Sequence, residues 1–123
     1  MNRWMKRAVS EAEKSTYKIK VGAVVFNKNS FVSCGHNYGN RSIKKHHPKF
    51  RITPNTVHAE VDAIINAKTD LKGMSILVIR INNNGEFRMS RPCQHCMAYL
   101  KHVGIKNIYY SISKYPYIVK EKI

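Results

Sequence analysis

The sequence predicts an α/β domain in three layers, with a mixed sheet lying between helices. Segments that read as strands alternate with segments of helical period along the chain. One run, residues 74–81, is almost continuously apolar, which places it at the centre of a sheet. Two helices open on residues suited to a first turn, Thr56 and Pro92. At 123 residues the chain makes one domain with a real core. It carries no internal repeat, low-complexity block or linker, so residues 1–123 form a single unit.

Residues 2–14 read as a helix, with Trp4, Met5, Ala8, Val9 and Ala12 on one face. Residues 18–26 and 30–36 read as neighbouring strands, and Asn27-Lys28-Asn29 suits the hairpin turn between them. Residues 37–55 are polar and basic, hold two prolines and lack a period. They read as a loop longer than a compact domain normally spends on a connection, and hence as a candidate functional loop. Thr56 can cap a helix over 57–68 that turns Val61, Ile64 and Ile65 to the core. Gly73 precedes the strand 74–81, and residues 82–85 make a turn. Pro92 opens a helix that runs through His102, and Gly104 ends it. Residues 105–113 form a further strand. Too few residues follow it for a parallel crossover, so a strand over 117–123 must run antiparallel, as a C-terminal hairpin. The expected sheet is mixed and five-stranded.

Lys plus Arg number 22 against 7 Asp plus Glu, a formal charge of +15. Such an excess favours polyanionic partners or phosphorylated substrates. An AT-rich genome explains many lysines but accounts less well for the scarcity of acids. The longest apolar stretch, residues 21–26, is far too short to span a membrane. The charged N-terminus has no apolar segment behind it and reads as the first turns of a helix, not a secretory signal. Three cysteines, two of them at C-x-x-C spacing beside a histidine motif, argue against a disulfide framework. Together these features lead us to expect a cytoplasmic, intracellular protein without membrane contact.

The chemistry concentrates in His58-Ala59-Glu60 and Pro92-Cys93-Gln94-His95-Cys96. One imidazole and two thiolates suit zinc, and three protein ligands leave a fourth tetrahedral position open to water. Cys93 and Cys96 sit one helical turn apart, so both sulfurs can point to one side. The positive end of the helix favours their thiolate forms. Glu60 is close enough to His58 to touch a bound water without ligating the metal. A closed structural site would want a fourth protein ligand. His95 projects away, and the His46-His47 pair reaches in only by loop folding.

H-x-E followed by P-C-x-x-C, each half opening a predicted helix, is the known signature of zinc nucleobase deaminases. On these residues the chain resembles the zinc-dependent cytidine deaminase superfamily over nearly its whole length. The resemblance implies a three-layer α/β/α cytidine deaminase-like fold and Zn²⁺ as cofactor, held by His58, Cys93 and Cys96. It implies Glu60 as the catalytic acid and base, and substrate contacts at Asn37, Ala59, Arg91 and Pro92. Asn37 matches an asparagine that contacts the substrate's sugar or base, although a turn residue before Gly39 fits equally. Arg91 stands where relatives often carry a small residue or an acid. It is either a fork-shaped donor to a phosphate or a solvated charge. Cys34 is expected to be a small buried apolar residue.

Residues 41–51 carry five formal positive charges and Phe50. They either grip a phosphate or nucleic-acid backbone or form a solvated loop. Tyr109, Tyr110, Tyr115 and Tyr117 offer a stacking surface, but half-buried packing is the more ordinary role.

The expected activity is zinc-dependent hydrolytic deamination of a cytosine base in a free (deoxy)cytidine nucleoside or nucleotide, giving uracil and ammonia. The C-terminal hairpin resembles that of free-nucleoside deaminases, and several nucleic-acid-targeting deaminases of the superfamily share it. A deaminase acting on single-stranded DNA or RNA is the alternative, favoured by the charge of +15. A catalytically idle zinc module that binds nucleic acid is the third reading, and Glu60 would serve no purpose in it. Relatives often assemble as dimers or tetramers, which implies a homo-oligomer.

Overall fold

The computed structural model of the chain describes residues 2–39 and 56–123. Helix α1 (Asn2–Glu13) is followed by strands β1 (Lys20–Asn27) and β2 (Ser30–His36). A short ladder of β3 (Tyr38–Gly39) with β4 (Thr56–Val57) leads into α2 (Ala59–Ala67). Strands β5 (Ser75–Ile81) and β6 (Phe87–Arg88) come next, then α3 (Gln94–His102), β7 (Asn107–Ser111) and β8 (Ile118–Lys122).

The main sheet has the order β2-β1-β5-β7-β8, with β6 added beside β5. Strand β5 is central, as its largely apolar run predicts. It pairs antiparallel with β1 and parallel with β7, so the sheet is mixed. Helix α3 provides the crossover that the parallel β5–β7 pair requires. Strand β8 returns antiparallel on β7, which is the expected C-terminal hairpin.

Two expectations need correcting. The sheet has six strands, not five: Asn82 Oδ1 accepts the backbone N–H groups of Asn84 and Glu86, which folds the chain back so that Phe87 and Arg88 pair with β5. Thr56 does not cap α2. It lies in β4, and His58 occupies the cap position, its extended backbone (ψ 151°) leaving its carbonyl to accept the Asp62 N–H.

The layers follow from strand alternation. Trp4, Ala8 and Ala12 of α1 cover Val24, Phe26, Leu77, Ile79 and Ile81 on one face of the sheet. Trp4 stacks on Phe26 at 5.2 Å between ring centres. On the other face Ala23, Val25, Ile76, Val78, Ile108 and Tyr110 meet α2 and α3, including Val61, Ala63, Tyr99 and Leu100. Each fully buried aliphatic chain stabilises the fold by roughly 1.5–3 kcal/mol relative to exposure. Two glycines set how closely the helices approach. A Cβ on Gly22 would overlap the Ala8 carbonyl of α1, and one on Gly35 would overlap backbone at Asp62 and Ala63 of α2. The tight seat of α2 against β2 fixes where its first turn, and therefore His58 and Glu60, must lie.

Among the tyrosines, Tyr110 is buried and Tyr109 packs against Phe26, while Tyr115 and Tyr117 are exposed beside one another. Cys34 is half-buried rather than fully enclosed, and packs beside the α1 layer. The basic segment 41–51, with His46 and His47, lies outside the described residues. No helix among those described is long and apolar enough to cross a membrane.

Candidate active site

His58 and Cys93 are the cap residues of α2 and α3, and the two helices aim their N-terminal ends at one point. Cys96, one turn into α3, completes the cluster. The donor atoms of His58, Cys93 and Cys96 all lie within 4.8 Å of one another. His58 Nδ1 is 3.2 Å from Cys96 Sγ. Cys96 is buried, His58 half-buried and Cys93 exposed, so the cluster has a closed side and an open one.

The donor set fits zinc. Tetrahedral Zn–S and Zn–N bonds of about 2.3 and 2.0 Å require ligand atoms a few ångströms apart, with a fourth position free. The local electrostatics ask for a cation. Burial pushes the Cys96 thiol far above its ordinary range, and the neighbouring Glu60 and Cys93 push it further. A bound cation reverses that cost by holding the thiolates deprotonated. The N-terminal ends of the two helices add positive potential at the same point.

Glu60 is buried at 5% exposure in the first turn of α2. Burial raises its pKa above the ordinary carboxylate range. Its own backbone N–H, His58 and Cys96 pull the other way without restoring it. Its carboxyl reaches Cys96, which places it against the cluster.

A cavity of about 270 Å³ opens onto this cluster, and His58, Ala59, Glu60, Pro92 and Cys93 line it. Asn37, Arg80, Met89 and Arg91 also face it. Such a volume is at the small end of ligand pockets, suited to one nucleoside-sized molecule. Glu60 is the only carboxylate among the lining residues.

Every sequence-derived site residue therefore reaches this region, but two arrive with their side chains occupied. Asn37 Oδ1 accepts the Val21 N–H at 2.9 Å, and its amide donates to the Ile19 carbonyl at 2.5 Å. It pins the start of β1 while facing the cavity. Arg91 Nε donates to Glu121 Oε2 at 2.7 Å, so its fork is tied to β8.

Three functional features escape the sequence reading. Ser90 and Ser111 are buried where β5 parts from β7 and takes up β6. Ser90 Oγ donates to the Val78 carbonyl and accepts the Ser111 N–H. Ser111 Oγ donates to the Arg88 carbonyl and accepts the Arg80 N–H. These hydroxyls satisfy backbone groups that the diverging strands leave open. Arg80 is the third feature, and its signal was available: a single charge within the apolar run of β5.

The family model for the zinc-binding region of cytidine and deoxycytidylate deaminases matches residues 1–112. The chain belongs to that family of deaminase enzymes. Among solved structures it is similar to the apo dCMP deaminase of cyanophage S-TIM5. The two share 23% identity at a TM-score of 0.66, over 90% of this chain and 81% of that one. It is also similar to cytidine deaminase from Mycobacterium leprae, with 17% identity and a TM-score of 0.59, over 97% and 91% of the two chains. A third likeness is to a diaminohydroxyphosphoribosylaminopyrimidine deaminase/reductase from Thermotoga maritima. There the identity is 22% and the TM-score 0.56, over 93% of this chain but 30% of that longer one. These likenesses establish the shared fold. None of the curated proteins matches the chain significantly.

Proposed function

We propose that the protein performs zinc-dependent hydrolytic deamination of a cytosine base in a free (deoxy)cytidine nucleoside or nucleotide, converting the base to uracil within the nucleoside or nucleotide and releasing ammonia. The observation that carries this reading is the placement of three zinc-type donors within 4.8 Å of one another beside a buried glutamate, at the wall of one small cavity. His58, Cys93 and Cys96 would hold the metal. Zinc, when bound, supplies a Lewis acid that makes water acidic enough to ionise near neutral pH.

Glu60 does the proton work. Its carboxylate accepts a proton from the attacking water. It then delivers protons to the ring nitrogen and to the departing amine, a role worth about 10²- to 10⁴-fold in rate. Burial suits it to this task, because a carboxyl with a raised pKa is a stronger base toward the attacking water and keeps the proton until the substrate takes it. Ala59, Pro92, Asn37 and Arg91 line the cavity; in this reading Ala59 and Pro92 would flank the ring and Asn37 would face the sugar or base. The cyanophage relative has been solved with dCMP and dUMP, at 21% identity and a TM-score of 0.64, which supports a pyrimidine substrate.

A second reading, a base within single-stranded DNA or RNA, is favoured by the charge of +15. Salt separates the two. Binding through many phosphate contacts weakens steeply with ionic strength, whereas binding of a single nucleoside barely changes. The deciding experiment is ammonia release by the zinc-loaded protein from cytidine, deoxycytidine, their monophosphates and single strands. Release from a free substrate supports the proposal. Release from single strands alone replaces it with the second reading.

A further inference from the structure

Arg80 occupies an unusual place for an arginine. It lies in the central strand and alternates with Leu77, Ile79 and Ile81, which face the α1 layer. Its side chain therefore leaves the sheet on the opposite face, together with Ile76 and Val78, the face that carries α2 and the cluster. There it lines the same cavity as Glu60 and Asn37, and it is half-buried. Its Cα neighbour across β6 is Arg88, a like charge directly opposite, and across β1 it is the apolar Val21.

The chain has seven acidic residues, and all seven are among those described. None pairs with Arg80. Glu11 serves Lys14 and His36, Glu86 serves Arg88, and Glu121 serves Arg91. No side-chain hydrogen bond of Arg80 exists among the described residues either. Its backbone is nevertheless held by the buried hydroxyl of Ser111 at 3.0 Å. A half-buried guanidinium beside a like charge, with no anion of its own, is costly in the free protein. An anionic ligand in the cavity would offset that cost.

We propose that Arg80 is the residue by which this cavity selects a phosphorylated substrate, and that the substrate is a pyrimidine nucleoside monophosphate rather than a bare nucleoside. This rests on the deaminase reading above. At neutral pH the base and sugar of a nucleoside are uncharged, and the phosphate alone offers the two oxygens that a guanidinium fork matches. Concave apolar walls strengthen the attraction by focusing the field of an unpaired cation. Arg91, the arginine singled out by its place in the motif, is already bound to Glu121. Among the described residues, a single unpaired guanidinium inside a cavity of about 270 Å³ suits one terminal phosphate better than a continuous backbone, which needs a row of cations along a groove.

The test compares wild type with Arg80→Met and Arg80→Lys in zinc-loaded protein, using dCMP, deoxycytidine and a cytosine-containing single strand. The expected result is a wild-type preference for dCMP. In Arg80→Met the ratio of kcat/KM for dCMP to that for deoxycytidine should fall roughly 10- to 100-fold, mostly through KM, with partial recovery in Arg80→Lys. Calorimetry with dUMP and deoxyuridine gives an independent readout that needs no turnover. Wild type should bind dUMP the more tightly, and Arg80→Met should erase the difference. Equal losses on dCMP and deoxycytidine would assign Arg80 to the base or to the fold and overturn the proposal. So would equal binding of dUMP and deoxyuridine by wild type, or a preference for the single strand over dCMP. Failure of the deaminase reading looks different: no substrate turns over, while the calorimetric comparison still decides the role of Arg80.

Discussion

Glu60 and Glu11 are both buried glutamates on helices, one on each side of the same sheet, and they are held in opposite ways. Burial pushes the pKa of Glu11 upward, but hydrogen bonds from Lys14 at 2.6 Å and from His36 at 3.3 Å outweigh it, leaving the group below its ordinary value. At Glu60 burial dominates and the pKa stays above its ordinary value, with no Lys or Arg partner among the described residues. A carboxyl kept for structure is given its counter-charge. One kept for chemistry is left in need of a proton, a metal-bound partner or a substrate, at a cost in stability that the rest of the fold absorbs.

The largest expected effect sharpens this contrast. Glu60→Gln should lower deamination by about 10²- to 10⁴-fold or more while the protein stays folded. Glu11→Gln should leave deamination nearly intact. Steady-state rates and circular dichroism on the two variants check the pair. Should both lose activity to the same degree, the distinction fails.

A buried and a half-buried cysteine, Cys96 and Cys34, give the next comparison. Cys96→Ser should abolish stoichiometric zinc binding, with a loss beyond the ~10- to 100-fold typical of residues that merely support a ligand. Cys34→Ser should keep its zinc, because Cys34 lies on β2 in the other layer's margin. Elemental analysis after dialysis reads this directly. Chelation should lower the melting temperature of wild type and Cys34→Ser, and leave Cys96→Ser unmoved.

Glu11 predicts a smaller, pH-dependent effect. Its pKa is depressed in the folded protein relative to about 4.5 unfolded. Its contribution is therefore present above the unfolded value and is lost as pH falls through the folded one. Glu11→Gln should cost about 1–2 kcal/mol at neutral pH, and the gap from wild type should close on acidification below about pH 4.5. Thermal melts across that range check it. A gap that widens with acid would contradict the assignment.

The smallest effect concerns Arg91 and Glu121. Both are partly exposed, and such pairs add little to stability. Glu121→Gln should leave the melting temperature unchanged, while freeing Arg91 to add to anion affinity at the cavity wall. Tighter dUMP binding by this variant is the expected sign.

The same physics explains what could be read from the sequence. Helix α1, the β1–β2 hairpin, the central place of β5 and the antiparallel return of β8 all follow from period, turn residues and chain length, which are local. The cluster was legible too, because His58, Glu60, Cys93 and Cys96 sit at fixed spacings in the first turns of two helices. What escaped depends on pairing across the chain. Strand β6 is two residues long and exists because Asn82 turns the chain onto β5. Thr56 has the chemistry of a cap, but the short ladder with Tyr38–Gly39 claims it and passes the position to His58. Ser90 and Ser111 carry no local pattern, since their role appears only where three strands diverge. Arg91 looked free in the sequence because Glu121 is distant along the chain and close in space.

The central claim is that Glu60 and a metal held by His58, Cys93 and Cys96 together replace an amine by oxygen from water. The most direct measurement is mass spectrometry of the pyrimidine product formed by zinc-loaded protein in heavy-oxygen water, with Glu60→Gln alongside. The account predicts one heavy oxygen in the wild-type product at the carbon that bore the amine, and almost no product from the variant. A folded, zinc-loaded protein that forms no such product from nucleoside, nucleotide or single strand would contradict it, as would a Glu60→Gln variant that matches wild type.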